Sequence, residues 1–280
     1  MRVVGGSNPL VPTIFFIVTL ILLTNDDGIE AEGLRILEES LAGLGEIVVL
    51  APDRERSAVS HGLTIHSELA ARQIGPNCYS LDGTPADCVL YALKRLELHP
   101  DLVLSGINNG ANLGEDIMYS GTVAAAREAS WFDIPSVAIS QAYEPGEPAC
   151  FKQAGKFARR LVRTILEERY GRGVCLNVNI PPQRVRGVRI TRQGGARHFR
   201  HFNSLDRKDE NKDAAGEVEE RRPKSDIPSD YDAVYDHFIS VTPLQRDQTD
   251  YVVADLLRRE GPRLLRRFRI PGLGLISRKS

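Results

Sequence analysis

Short apolar runs, each bounded by polar loops, recur along the first two thirds of the chain at residues 20–23, 47–50, 102–104, 135–140 and 174–180. The first three, short and unbroken, predict strands buried on both faces, and 135–140 and 174–180 read as a fourth and a fifth strand. Between them the apolar spacing changes to that of helices. Leu34, Leu37, Leu41 and Leu44 mark a helix over 30–43 that stops at Gly43 and Gly45. Thr84 as N-cap, Pro85 at the first position and Asp87 in the first turn open another, running to about Leu96. An alanine-rich helix follows over 123–130, and an amphipathic one with a solvated basic face over 151–167. Strand, helix and parallel strand in succession form βαβ units, which carry the strand ends to one rim of a doubly wound sheet.

The intervening segment 62–81 predicts a β-excursion with strands at 64–66 and 78–81. Residues 187–191 read as a strand, and 194–230 are polar without clear periodicity. Within that stretch, 206–222 mixes both charge signs densely, as in a solvated hairpin arm or mobile loop. A last strand is predicted over 238–243, a closing helix over 250–259, and a loosely ordered basic tail after it. At the N-terminus, the apolar run 14–23 is interrupted only by Thr19 and resembles a weak signal peptide, but it is too short to span a membrane. It ends in Asn25-Asp26-Asp27 with no small-residue cleavage site, and cleavage after it would remove the strand bearing the carboxylates. The expected organisation is an extension over 1–17, a catalytic domain over 18–193, an arm with the last strand and helix over 194–260, and a tail over 261–280.

Composition narrows the function classes. The 280 residues can bury a substantial core, and 36 basic against 37 acidic side chains give a net charge of −1. Neither a nucleic-acid partner nor an anionic membrane surface is expected from that balance. Cys78, Cys88, Cys150 and Cys175 are scattered without a Cys-x-x-Cys pair, which argues for reduced thiols in a cytoplasm rather than a zinc site or disulfide framework.

Three stretches carry candidate chemistry. The first strand ends in Asn25-Asp26-Asp27-Gly28, and two adjacent carboxylates at such a strand end are best tolerated around a cation. The plainer reading is a turn in which Asn25 or an aspartate caps the next helix. The third buried strand opens into Ser105-Gly106-Ile107-Asn108-Asn109-Gly110-Ala111-Asn112-Leu113-Gly114, where asparagines offer neutral oxygens or amide donors; the plainer reading is a long turn-rich loop. Ser120-Gly121-Thr122 starts a helix, an anion site by its unpaired N–H groups or simply an N-cap. Oxygen donors without His or Cys select a hard cation, Mg²⁺, Mn²⁺ or Ca²⁺, and an anion site beside it points to metal-assisted phosphate ester hydrolysis.

The blocks Thr24-Asn25-Asp26-Asp27-Gly28-Ile29, Ala51-Pro52-Asp53-Arg54-Glu55-Arg56-Ser57, Gly83-Thr84-Pro85-Ala86-Asp87-Cys88-Val89, the asparagine–glycine stretch 105–114, and Tyr119-Ser120-Gly121-Thr122-Val123-Ala124-Ala125-Ala126-Arg127-Glu128 occur in order over 18–243. Together they resemble the SurE family, stationary-phase survival proteins that act as 5′(3′)-nucleotidases. The resemblance implies a Rossmann-like doubly wound, mostly parallel α/β sheet with a C-terminal β-hairpin and helix arm used in oligomerisation, as a homodimer or homotetramer. It implies one divalent metal ion, Mg²⁺ or Mn²⁺ with Ca²⁺ able to occupy the site, held by Asp26, Asp27, Ser57 and Asn108. It further implies that Asn112, Ser120, Gly121 and Thr122 hold the phosphate of a nucleoside monophosphate. Asp26 or Asp27 is then the residue that orients or deprotonates the attacking water. His61, in the loop after Ser57, is a candidate influence on substrate preference.

Rival readings fare worse. Haloacid-dehalogenase-like phosphatases require Asp-x-Asp-x-Thr after the first strand, whereas Asp26 and Asp27 are adjacent and followed by Gly28-Ile29. No Gly-x-Gly-x-x-Gly follows that strand either, so a dinucleotide site is disfavoured. The remaining alternative is a sensor that binds metal and nucleotide without turnover.

Overall fold

The computed structural model describes residues 19–144, 149–168, 171–182, 184–195 and 226–265. The proposed extension, the charged stretch 206–222 and the end of the basic tail lie outside the described residues. The chain divides into two compact units, one ending at Leu244 and the other starting at Gln245.

The first unit is organised around β1 (Leu20–Thr24), flanked by β2 (Glu46–Pro52) on one side and β5 (Leu102–Asn109) on the other, both parallel to it. With β3 (Ala71–Gly75), β4 (Cys78–Leu81), β6 (Ser136–Gln141), β7 (Cys175–Ile180), β8 (Gly187–Ile190) and β9 (Phe238–Leu244), the sheet has the order β3-β4-β2-β1-β5-β6-β7-β9-β8. Among the described residues only the β3–β4 and β7–β9 pairs are antiparallel. The winding changes direction between β1 and β5, the point where open α/β sheets form a crevice at the strands' carboxyl ends.

Alternation along β1 places Ile21 and Leu23 in one hydrophobic cluster and Leu22 in another. Helices α1 (Glu32–Leu41) and α4 (Phe151–Glu168) cover the first face through Leu34, Leu37, Ala158 and Val162. Helices α2 (Pro85–Lys94) and α3 (Gly121–Trp131) cover the second through Val89, Ala92, Ala125 and Ala129. The predicted cap of α2 forms: Asp87 N donates to Thr84 Oγ1 at 3.1 Å and Thr84 N to Asp87 Oδ2 at 2.9 Å. This reciprocal box satisfies donors that the first turn would otherwise leave unpaired.

Several elements depart from the sequence reading. No strand forms at 64–66, because Thr64 gives both its N–H and its hydroxyl to the Asp87 carboxylate and Ile65 is left 81% exposed. The antiparallel partner of β4 is β3, further along the chain than 64–66. The third buried strand does not end at Leu104: pairing with β6 resumes at Asn108–Ser140 after an irregularity, which puts Asn108 and Asn109 on a strand end rather than in a free loop. A short helix that the sequence reading did not include, α5 (Asp230–Tyr235), capped by Ser229, starts where the polar stretch ends. The last strand, expected in the arm, is a full member of the main sheet between β7 and β8. In the second unit, α6 (Tyr251–Leu265) continues through Gly261-Pro262, where the sequence reading placed a break. The leucines and arginines around that pair are strong helix formers.

Candidate active site

The carboxylates stand at the end of the central strand, and neither caps a helix. Helix α1 has Ala31 at its N-cap with no side-chain bond. Asn25 closes its own turn instead, its Nδ2 donating to the Gly28 carbonyl at 2.9 Å and its Oδ1 accepting from Gly28 N at 3.2 Å. That small turn sends the next two side chains in different directions.

Asp26 is 5% exposed and reaches the start of α3. Thr122 N donates to its Oδ2 at 3.0 Å and Thr122 Oγ1 to its Oδ1 at 2.5 Å. The positive end of a helix favours an anion here, and Gly121 is what allows the approach. A Cβ on Gly121 would stand 3.0 Å from both Asp26 Cβ and Pro85 Cγ. Burial nevertheless raises the Asp26 carboxyl above its ordinary value, against the lowering effect of the Thr122 bonds. Asp27 is half-buried and receives a single donor, Asn109 N, at 3.2 Å. Its carboxyl is pushed up to about 6, first by burial, then by the charge of Asp26, with Glu55 adding to it. Each Asp26 oxygen accepts one bond from Thr122 and keeps a further lone pair, and with the under-satisfied Asp27 beside it the pair makes a centre of negative charge with acceptor capacity to spare.

Ser57 arrives on the loop after β2. Arg56 N donates to the Asp26 carbonyl at 2.7 Å, so Ser57 follows the residue that touches the carboxylate's own backbone. Its hydroxyl donates to Glu55 Oε1 at 2.7 Å. Asn108 uses its Nδ2 on the Gly110 carbonyl at 2.8 Å, which leaves the amide oxygen as the group suited to a cation. Ser120 caps α3, its Oγ accepting from Val123 N at 3.1 Å. The structure thus gathers Asp26, Asp27, Gly121 and Thr122 directly, and attaches Ser57 and Asn108 through their neighbours.

Asn112 lies apart. It is buried, donates from Nδ2 to Ser140 Oγ at 2.8 Å and from its N–H to Asn179 Oδ1 at 2.8 Å. Its carbonyl accepts from Asn177 Nδ2 at 2.8 Å and Asn179 Nδ2 at 3.1 Å. Among the described residues no hydrogen bond joins Asn112 to either carboxylate. Residues passed over in the sequence therefore matter. Asn177 and Asn179 are two apart on a buried strand, hence on one face, and that spacing was a visible sign of a polar contact. Asn109 acts through its backbone, and no side-chain signal marks it. Glu128, 5% exposed on α3, meets His61 Nε2 at 2.7 Å, and His61 stacks on Trp131 with ring centroids 4.9 Å apart.

Residues 21–200 match the family model described as Survival protein SurE. The chain belongs to the SurE family. It is 42% identical to a protein of Syntrophotalea carbinolica named 5′-nucleotidase SurE, covering 86% of this chain and 96% of the relative. A protein of Geotalea daltonii with the same name is 43% identical over 82% of this chain and 94% of its own length. The crystal structure of the Sure protein from Aquifex aeolicus superposes with a TM-score of 0.70 at 38% identity, over 86% of this chain and 99% of that one. The α/β fold with its mostly parallel sheet is thus the SurE fold.

The donor chemistry of the rim fits a divalent cation. Among the described residues there is no cluster of three His, Cys, Asp or Glu side chains arranged for a metal. Two carboxylates supplemented by neutral oxygens are nonetheless the kind of set that a hard ion such as Mg²⁺ accepts while keeping several waters.

Proposed function

We propose that this chain is a divalent-metal-dependent nucleotidase that hydrolyses nucleoside 5′-monophosphates, and 3′-monophosphates with them, to nucleoside and phosphate. One observation carries the reading: Asp26 and Asp27 stand together at the switch point, Asp26 clamped by Thr122 and Asp27 left with one donor. Asp26, Asp27, Ser57 and Asn108 would hold Mg²⁺ or Mn²⁺, with Ca²⁺ able to take the same place. A bound ion of this kind polarises a phosphoryl oxygen and lowers the pKa of a coordinated water.

The protein's own groups divide the remaining work. Thr122 fixes Asp26, so its carboxylate is a rigid support. Asp27 keeps unshared lone pairs and is the carboxylate placed to orient the attacking water or take its proton. The substrate phosphate is assigned to the start of α3, Ser120 to Thr122, and to Asn112, whose amide is held in place by Ser140. The names of the relatives support the nucleotide as substrate. All four cysteines are free thiols, which suits a cytoplasmic setting, and among the described residues no helix is long and apolar enough to cross a membrane. Assembly as a homodimer or homotetramer through the segment after residue 194 belongs to the same proposal.

The test is phosphate release from nucleoside 5′- and 3′-monophosphates with EDTA, Mg²⁺ or Mn²⁺, for wild type and Asp26→Asn. Metal-dependent release that collapses in the variant is expected. Binding of nucleotide without release under any metal would replace the hydrolase by the sensor reading.

A further inference from the structure

The loop that carries Ser57 is fastened at both ends, and the two fastenings differ in kind. On the side of the first strand, Arg56 N donates to the Asp26 carbonyl at 2.7 Å. Ser57 itself is exposed, and its hydroxyl bonds within the loop, to the exposed Glu55. Neither contact aims that hydroxyl at the carboxylates. The backbone that follows is unusual: Ala58 and Ser60 take positive φ values of 57° and 55° without being glycine. Such residues hold a left-handed conformation where surrounding contacts enforce it.

Those contacts come from α3 and the turn before it. Ser60 N donates to the Tyr119 carbonyl at 2.9 Å, and Ser60 Oγ to the Met118 carbonyl at 2.7 Å. One residue later, His61 enters a socket on the helix. Glu128 and Trp131 stand at i and i+3 on α3 and so are neighbours on its surface. Glu128 Oε2 meets His61 Nε2 at 2.7 Å, and the Trp131 ring stacks on the imidazole with 4.9 Å between centroids and 10° between planes. The carboxylate sets the place of the ring, and the indole sets its plane. Glu128 is buried, and a carboxylate kept that far from water needs the partner. One helix thus clamps Asp26 through Thr122 and holds the loop of Ser57 through Glu128 and Trp131.

Resting on the nucleotidase reading and its metal site, we infer that His61, seated on Glu128 and Trp131, is a positioning residue: it fixes the 57–60 turn against α3 so that the Ser57 hydroxyl is presented to the Asp26–Asp27 pair. Imidazole Nε2 can donate to the carboxylate whether the ring is neutral or charged, so the role requires no titration of either group.

The experiment measures Mn²⁺ binding directly, from the free-ion signal in electron paramagnetic resonance, beside thermal unfolding in EDTA. Its variants are His61→Ala with Glu128→Gln, His61→Gln, Trp131→Ala, and Ser57→Ala alone and combined with the first pair. The double change removes the tie and the stranded charge together, so unfolding in EDTA stays near that of wild type. Its dissociation constant for Mn²⁺ should nonetheless rise about tenfold, the scale on which support behind a metal ligand acts. His61→Gln still reaches Glu128 with an amide donor and should recover most of the affinity. In the Ser57→Ala background the double change should add less than about twofold, because the group it positions is gone. Trp131→Ala, at a half-exposed position, should weaken binding in the same direction by a smaller factor, and it decides the matter if the double variant does not fold. Unchanged Mn²⁺ affinity in the folded variants overturns the inference, and so does a full further tenfold loss in the Ser57→Ala background. A wild type that binds no Mn²⁺ takes down the metal site of the nucleotidase reading, and the inference with it.

Discussion

Asp26→Asn separates what the carboxylate pair does for function from what it costs the fold. The asparagine is nearly isosteric, and both Thr122 contacts can be kept: Oδ1 accepts from Thr122 N, and Nδ2 donates to a Thr122 hydroxyl that rotates to accept. What disappears is a buried charge and its repulsion of Asp27. The raised Asp27 carboxyl, from 3.8 to about 6, corresponds to about 3 kcal/mol at most. Asp27 is partly exposed and its own burial is the larger cause, so the repulsion relieved by the variant is less than half of that, roughly 1 kcal/mol after screening, and the burial cost of the Asp26 charge is removed with it. Exchanging charge-assisted for neutral hydrogen bonds takes back part of that. Without metal, the variant should therefore be more stable by about 1 kcal/mol at pH 7.5, a rise in Tm of roughly 2–4 °C for a chain of this size.

The pH dependence fixes the sign. A carboxyl raised in the folded state binds more protons there than in the unfolded chain between about 4 and 6. Its stabilising contribution is full below about 4 and is lost as pH rises through about 6, so the advantage of Asp26→Asn should shrink toward pH 5. Thermal unfolding in EDTA at pH 7.5 and pH 5, repeated with Mn²⁺, reads all of this. Added Mn²⁺ should raise the Tm of wild type and leave the variant nearly unmoved. A variant less stable than wild type in EDTA at pH 7.5 would refute the claim that the pair is held under electrostatic strain.

Three further outcomes follow from single contacts. Thr122→Val keeps the shape but strips Asp26 Oδ1 of its hydroxyl donor; a loss of about 1–3 kcal/mol in urea unfolding and a fall in kcat are expected. His61→Ala leaves Glu128 buried without its histidine, which should cost about 1–3 kcal/mol, whereas His61→Ala combined with Glu128→Gln should recover much of it. Gly33→Ala would set a Cβ 2.0 Å from the Ile107 carbonyl, where α1 lies on β5, so expression as soluble protein should fall and unfolding shift by several kcal/mol, on the order of 3.

The strands β1, β2 and β5 were legible because each holds an unbroken apolar run, β6 and β7 because apolar residues still dominate theirs, and α2 because Thr84, Pro85 and Asp87 act locally. Long-range pairing was not. Nothing in residues 64–66 shows that Asp87, distant in sequence, will take the Thr64 N–H and prevent a strand. Nothing in 238–244 alone shows that β9 inserts between β7 and β8. Around the site, Asp26, Asp27 and Thr122 stood out by residue type, and the structure joins Thr122 to Asp26 with Asp27 next in the chain. Asn112 stood out equally, yet its bonds run to Asn177, Asn179 and Ser140, a destination set by the registration of β6 and β7. The Asn109 N–H on Asp27 was invisible, since every residue but proline carries that donor.

Helix α3 explains why the site is built with neighbours that look merely structural. Its first turn holds Asp26 through Thr122, its middle packs Ala125 and Ala129 beneath the sheet, and Glu128 ties down the loop that begins at Ser57. Small side chains let the helix lie close to the strands, and only a close helix lets the Thr122 N–H reach a carboxylate on β1's end. Packing density in α3 and the placement of the Asp26 oxygens are therefore one constraint. Enlarging Ala125 or Ala129 would displace the clamp on Asp26 without touching a single oxygen donor, so damage from such changes should appear in metal-dependent turnover as well as in stability.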